Sequence, residues 1–159
     1  MDIKSGSSYP ASSLSNFAPH PFIFRGVQCA SMEGFLQSLK FKNPDMQREV
    51  CTLVGLKAKR KGYHKNWWTL QTLYWQGQPI KRDSDEYQDL LDEAFETLYT
   101  SNEKARKALL ATKNANLTHS IGKTKKSETV LTKQEFCSRL MNIRKRLQVQ
   151  EATKDLFDG

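Results

Sequence analysis

Apolar residues recur at helical spacing near the front of the chain, at Met32, Phe35, Leu36 and Leu39. These separations follow the i, i+3, i+4, i+7 rule of a helix that buries one face. Beside this stripe, Glu33, Gln37 and Lys40 repeat the same spacing. At about 100° per residue they fall within a sector roughly 60° wide. The pattern predicts a core-packed helix with a carboxylate, an amide and an amine along one flank; an ordinary solvated flank is the alternative interpretation.

Short strands and capping residues surround this helix. The sequence pattern at residues 22–28 predicts two short strands joined by a tight turn at Arg25-Gly26. Ser31 is predicted to cap the helix. Asn43-Pro44 is predicted to end it and to begin the next helix, with Asn43 as N-cap and Pro44 at the first helical position.

Turn residues and caps divide the rest of the chain. Gly55 and Gly62 predict that the basic stretch around them breaks into short helical pieces, and residues 76–79 predict a loop. Ser84 is predicted to cap a long amphipathic helix. Two capping boxes predict the starts of later helices, and they are formed by Thr100 with Glu103 and by Thr132 with Glu135.

The predicted elements define one α+β domain, mostly helical, with a small strand element near the N-terminus. Residues 1–13 predict an arm or an irregular first strand, and residues 114–128 carry few helix signals. The last dozen residues are polar and are expected to fray. We therefore predict a single domain over residues 1–159, with a core at about 14–147 and a polar C-terminal tail.

Composition limits the class of protein. The chain has 159 residues, of which 38% are hydrophobic and 26% charged, as expected for one soluble globular domain. No apolar run approaches the roughly 20 residues of a membrane helix, and the first residues lack the apolar core of a signal peptide. A cytoplasmic location without membrane contact is the expectation.

Cysteine and histidine spacing gives no sign of a metal. Three cysteines and three histidines are scattered along the chain, and no pair of cysteines has zinc-ligand spacing. We expect reduced thiols, no metal and no cofactor.

The charge is strongly positive and uneven. The formal net charge is +8. Lysine and arginine cluster at residues 57–65, 104–113, 123–126 and 139–146, whereas acidic residues concentrate at 83–96. A basic surface of this size favours a polyanionic partner such as nucleic acid or a phosphate-rich ligand.

An ordered series of motifs resembles the NADAR family, also called YbiA-like. The series is Leu14-Ser15-Asn16-Phe17, then Pro19 and Pro21, the short strands, and Ser31-x-Glu33-x-Phe35-x-Gln37-x-x-Lys40-Phe41. Weaker motifs follow in the family's order, at Ala58-Lys59, Trp67 or Trp68, residues 108–112 and residues 140–144. Many relatives have a histidine where this chain has Gly34. The resemblance spans roughly residues 14–147 and implies a YbiA-like fold.

The resemblance also implies N-glycosidic bond chemistry on ribosyl compounds. One form of it is removal of ADP-ribose from guanine in DNA, and a basic chain fits that substrate. Cleavage of phosphoribosyl intermediates of riboflavin synthesis is the second possibility. A non-catalytic module that binds ADP-ribose or nucleic acid is the third. The expected partner is thus ADP-ribosylated DNA or an ADP-ribose-like ligand, and no protein partner is predicted.

Glu33 and Lys40 are the predicted catalytic residues. Cleavage of a ribose–base bond builds positive charge at C1 of the sugar, and the departing base needs a proton. Glu33, in the first turn of its helix, is predicted to act as acid and base. Lys40 is predicted to attack C1 and form a Schiff base with the opened sugar. An ion pair between the two that only stabilises the helix is the alternative.

Other residues are predicted to bind the substrate. Gln37 could bind a ribose hydroxyl or face solvent, and Asn16 with Phe17 suits contact with a base, although Phe17 could equally be core. One of Trp67 and Trp68 is expected to stack on nucleic acid while the other packs inward. The polar segment at residues 118–123 could cradle a diphosphate. Its predicted contacts are His119, Ser120, Gly122 and Lys123.

Overall fold

The computed structural model describes residues 1–158, and its helices and strands alternate along the chain. The helices are α1 (Ala11–Leu14), α2 (Met32–Ser38), α3 (Pro44–Cys51), α4 (Gly55–Tyr63), α5 (Asp85–Ser101), α6 (Glu103–Ala111) and α7 (Lys133–Asp158), with a 3₁₀ turn at Lys126–Glu128. The strands are β1 (Phe22–Phe24), β2 (Val27–Cys29), β3 (Thr72–Trp75) and β4 (Gln78–Lys81). The architecture is α+β and mostly helical, as the sequence predicts. Within the described residues, no helix has both the length and the apolar character needed to cross a membrane.

Two antiparallel hairpins form the strand element. β1 pairs with β2, and the turn between them is Arg25-Gly26, whose φ angles are +47° and +81°. β3 pairs with β4 through Gln76-Gly77, where φ is again positive, at +47° and +87°. Positive φ at both central positions is typical of the tight turns that match strand twist. The second hairpin corrects the prediction of a loop at residues 76–79, because Gln78 and Pro79 belong to β4.

Aromatic residues join the hairpins to α2. Phe24 lies 4.9 Å, between ring centroids, from both Phe35 of α2 and Trp75 of β3. Edge and tilted contacts of this kind add to the free energy gained by burying the rings. The cluster fixes α2 from its apolar side.

Two glycines allow other segments to approach α2 closely. A Cβ added at Gly62 of α4 would lie 2.0 Å from Gln37 Oε1, and one added at Gly34 would lie 2.4 Å from the Leu53 carbonyl oxygen. Neither position can hold a side chain without movement of its neighbours. Gly34 therefore allows α2 to pack closely against the segment after α3.

Capping predictions are confirmed at most helix starts. Ser31, Asn43 and Ser84 each accept a hydrogen bond from the backbone N–H three residues later. Thr132 and Glu135 form a complete capping box, because each side chain accepts from the other's backbone N–H. These signals are local, so the sequence shows them directly.

The predicted capping box at Thr100 is wrong. Asn102 caps α6 by accepting from the Ala105 N–H, whereas the Thr100 hydroxyl donates to the Glu96 carbonyl oxygen inside α5. α5 continues past Thr100, so this residue never takes the extended backbone of an N-cap.

Three further predictions differ from the structure. Gly62 lies inside α4, which is one continuous helix rather than several pieces. Residues 11–14 form the short helix α1 within the predicted arm. α7 continues to Asp158, so the expected fraying of the last dozen residues is replaced by helix, with exposed side chains over residues 151–157.

Candidate active site

A cleft of about 600 Å³ brings the predicted site residues together. Its walls come from α2, α4, the loop after α1, the residues that follow α4, and the segment between α6 and α7. Every predicted site residue except Ser120 lines it, namely Asn16, Phe17, Glu33, Gln37, Lys40, Trp67, Trp68, His119, Gly122 and Lys123. These residues are up to about a hundred positions apart in the chain, so the cleft is a product of the tertiary fold.

Glu33 is a partly buried carboxylate with one hydrogen-bond donor. Its Oε1 accepts from Gln37 Nε2 at 2.9 Å, one turn further along α2. Burial raises the pKa of Glu33, and the hydrogen bond from Gln37 together with the charges of Lys40 and Lys59 only partly opposes this. The raised pKa favours the protonated carboxyl group, which is the form that a general acid needs.

Lys40 lies in the turn that follows α2 and points its amine into the same cleft. Nζ donates to the Gly62 carbonyl oxygen at 3.2 Å. Burial lowers the pKa of Lys40; the charge of Glu33 raises it and that of Lys123 lowers it again. In the described part of the chain Lys40 and Glu33 form no direct ion pair, so the alternative of a purely structural salt bridge is not what the structure contains.

Gln37 and Asn16 support Glu33. Gln37 is 7% exposed, and its Nε2 donates to Glu33, whereas its buried Oε1 has no hydrogen-bond partner among the described residues. The Asn16 carbonyl oxygen accepts from the Glu33 N–H at 3.0 Å, which ties the loop after α1 to the first turn of α2. The Phe17 ring is partly buried, in ordinary contact distance of Gly55. Contact of these three side chains with a substrate remains a prediction.

The two neighbouring tryptophans diverge, as expected. Trp67 is 6% exposed and belongs to the core, whereas Trp68 is 49% exposed. Both line the cleft. Trp68 is therefore the one with a ring face available to a ligand, and Trp67 supports the wall.

The segment at residues 118–123 contributes unequally. His119, Gly122 and Lys123 line the cleft, but Ser120 does not. The Ser120 hydroxyl and N–H both donate to the Asp2 carboxylate, at 2.6 and 2.8 Å. Ser120 is thus engaged inside the protein, and the structure does not place it with the other predicted substrate-binding residues.

Sequence reasoning missed several residues of the cleft, chiefly Lys59 and Tyr63 of α4 and Lys4 near the N-terminus. The signal for α4 was present as a stripe of small buried residues at Gly55, Ala58 and Gly62, which marks the face packed against α2. Lys59 and Tyr63 each follow a residue of that stripe. They therefore flank the packed face and reach the cleft.

The fold that carries this cleft is shared with a solved protein structure. The structure is similar to the NMR structure of the E. coli protein YbiA, with a TM-score of 0.65 and 19% sequence identity, over 96% of this chain and 86% of that one. The protein therefore has a YbiA-like fold.

A family match is more specific. The family described as bacteriophage protein GP30.3 matches residues 8–145, and the chain belongs to this family. The chain is also 38% identical, over 140 residues, to a 17.1 kDa protein of the Gp30–rIII intergenic region of Enterobacteria phage T4. The alignment covers 86% of this chain and 91% of the phage T4 protein.

Proposed function

We propose that the protein is an N-glycosidase that removes ADP-ribose from guanine in DNA. The observation that carries the proposal is the pairing of Glu33 and Lys40 in one cleft, with the pKa of the acid raised and that of the amine lowered, chiefly by burial. These shifts favour the protonated carboxyl group and the free amine, which are the two forms that Schiff-base cleavage of an N-glycosidic bond requires.

The proposed reaction begins with attack of the Lys40 amine on C1 of the ribose. The C1–Nζ bond forms as the C1–guanine bond breaks, and the Glu33 carboxyl group donates a proton to the departing base. The Glu33 carboxylate then takes a proton from Nζ and delivers it to the ring oxygen as the C1–O bond breaks and the sugar ring opens to a Schiff base. Water adds to C1, the C1–Nζ bond breaks, and ADP-ribose leaves with the lysine regenerated.

Charges and rings around the cleft suit this substrate. Lys4, Lys59 and Lys123 line it and can neutralise a diphosphate. Trp68 and Tyr63 are both exposed at the cleft and offer ring faces to a base. The net charge of +8 favours association with a polyanion such as DNA.

The test is incubation with DNA that carries ADP-ribose on guanine. We expect release of ADP-ribose and restoration of unmodified guanine. Glu33→Gln keeps the acceptor for Gln37 but cannot transfer a proton, so it should lower kcat by about 10²–10⁴-fold. The matched control is Glu93→Gln, an exposed glutamate on α5 that is paired with Arg25.

The same assay separates the other functions. Turnover of a phosphoribosylamino-pyrimidine without turnover of modified DNA would move the substrate to the riboflavin-type compounds. Binding of ADP-ribose that is unchanged in Glu33→Gln, without product at high protein concentration, would indicate a binding module. Either result rejects the proposal.

A further inference from the structure

The N-terminal segment is built into one wall of the cleft. Asp2 and Thr118 form an isolated parallel bridge, in which the Ile3 N–H donates to the Thr118 carbonyl oxygen at 2.8 Å. Ile3 is fully buried. Immediately after it, Lys4 and Ser5 line the cleft. These contacts join two parts of the chain that are more than a hundred residues apart.

The Asp2 carboxylate holds the loop at Ser120 with both of its oxygens. Oδ1 accepts from the Ser120 N–H and Oδ2 from the Ser120 hydroxyl. The hydroxyl hydrogen bond is the largest cause of a pKa for Asp2 well below its usual range, followed by the bond from the Ser120 N–H. The carboxylate therefore stays ionised, as a two-point acceptor, throughout the neutral range.

His119, between Thr118 and Ser120, is fixed by the same segment. Its Nδ1 lies 2.8 Å from the Ile3 carbonyl oxygen. A carbonyl oxygen only accepts, so Nδ1 must carry the proton. The edge of the imidazole meets the Phe136 ring at 5.3 Å between centroids, which restricts rotation of the side chain.

The second ring nitrogen of His119, Nε2, is available to a ligand in the cleft. Among the described residues Nε2 has no hydrogen-bond partner, and it is not a buried atom. His119 lines the cleft together with Glu33. With Nδ1 protonated, the neutral imidazole presents Nε2 as an acceptor.

We propose that Asp2 is a positioning residue for this site: through Ser120 and the Ile3 carbonyl oxygen it fixes His119 in the Nδ1–H form and presents Nε2 to a hydrogen-bond donor of the bound ADP-ribosyl group. The inference rests on the proposed function for the identity of the ligand. The histidine form itself follows from the hydrogen bonds and is measurable without any reaction.

The first experiment reads the histidine form directly, by NMR of the protein labelled with nitrogen-15 in histidine, at a pH where the imidazole is neutral. In the unmodified protein His119 should show the Nδ1–H form. In Asp2→Ala we expect a substantial Nε2–H population, and in Ser120→Ala a smaller one, because the Ser120 N–H still donates to Asp2. Asp45→Ala, which removes an exposed aspartate paired with Arg48, is the matched control and should change nothing.

The second experiment measures binding of ADP-ribose by calorimetry. Asp2→Ala should bind about tenfold more weakly, because the hydrogen bond from the ligand to His119 is lost, with Asp45→Ala unchanged. If circular dichroism shows that Asp2→Ala does not fold, both measurements are made on Asp2→Asn and Ser120→Ala instead.

The outcomes separate the two proposals. A His119 that stays in the Nδ1–H form in Asp2→Ala, or affinity for ADP-ribose that does not change, overturns the positioning role. If the expected shifts in histidine form and affinity occur while the unmodified protein releases nothing from modified DNA, the positioning role stands and the proposed function fails.

Discussion

Two buried glutamates in this protein have opposite surroundings. Glu135, at the start of α7, is 7% exposed and receives hydrogen bonds from Arg82, Gln88 and the Thr132 N–H. Glu33 receives one side-chain hydrogen bond, from Gln37. Burial raises the pKa of both, but the donors around Glu135 outweigh it and lower its pKa to about 2, whereas the pKa of Glu33 stays raised.

The comparison shows that partners, and not burial, decide what a buried carboxylate can do. Glu135 is fully committed, and with Arg82 and Tyr87 it anchors the loop whose residues Thr129 and Val130 line the cleft. Glu33 keeps capacity for a proton or a ligand. The fold thus separates a carboxylate that stabilises structure from one that is available for chemistry.

Arg82 and Lys40 differ in the same way as the two glutamates, in the number of hydrogen bonds that each makes. Arg82 is fully buried and its guanidinium donates twice to Glu135 and once to the Thr129 carbonyl oxygen. Lys40 donates once, to the Gly62 carbonyl oxygen. Lys40 is therefore the less constrained of the two cations, and burial lowers its pKa.

The largest expected effect comes from turning Lys40 into a permanent cation. Lys40→Arg keeps the charge but removes the nucleophile, so kcat on ADP-ribosylated DNA should fall by about 10⁴-fold or more. Borohydride added during turnover should trap an ADP-ribosyl adduct on Lys40 in the unmodified protein, detected by mass spectrometry of peptides.

Lys59→Arg is the matched control, because Lys59 lines the same cleft and should form no adduct. Near-normal turnover of Lys40→Arg would reject the covalent mechanism, and direct hydrolysis assisted by Glu33 would then be the better account.

The next effect is on stability. Arg82→Ala leaves Glu135 buried without its main partner and frees the Thr129 carbonyl oxygen, so the free energy of unfolding in urea should fall by about 3–5 kcal/mol. Arg25→Ala, which breaks the exposed pair with Glu93, should cost about 1 kcal/mol or less. Similar losses for both variants would contradict the structural role assigned to the buried pair.

Much of the fold could be predicted, because many of its signals are local. Ser31, Asn43 and Ser84 mark helix starts within a few residues of the groups they cap. The β3–β4 hairpin was not predicted because Gln76-Gly77 indicates a turn by itself, and only the pairing of the strands on either side makes that turn a hairpin.

The site was predictable where one helix carries it. Glu33, Gln37 and Lys40 show their common flank by spacing alone. Lys59 reaches the cleft only because Gly62 lets α4 approach α2, and Ser120 turns away only because Asp2 captures it from the other end of the chain. Such packing and long-range hydrogen bonds leave no periodic pattern in the sequence.

The lowered pKa of Glu135 should make the free energy of unfolding depend on pH in the acidic range. Its pKa is about 2 in the folded protein against an ordinary value of 4.5, so the folded state favours the carboxylate. The stabilisation is complete above about pH 4.5, and about 3 kcal/mol should be lost as the pH falls from there to about 2. Urea unfolding of the unmodified protein and of Glu135→Gln, compared across this range, isolates the contribution from those of other carboxylates; parallel curves would contradict it.

The smallest effect on the free energy of unfolding is expected for Glu33→Gln, which removes a carboxylate from the cleft. Glu33→Gln keeps an oxygen that accepts from Gln37 and removes a charge that burial disfavours, so the free energy of unfolding at neutral pH should change by less than about 1 kcal/mol, or rise. Because the pKa of Glu33 is raised, the unmodified protein should gain stability relative to Glu33→Gln as the pH falls and the carboxyl group takes up its proton. This is opposite in sign to the behaviour of Glu135. A loss of several kcal/mol in Glu33→Gln would mean that Glu33, like Glu135, is a structural residue, and urea unfolding of the two glutamine variants side by side decides between these roles.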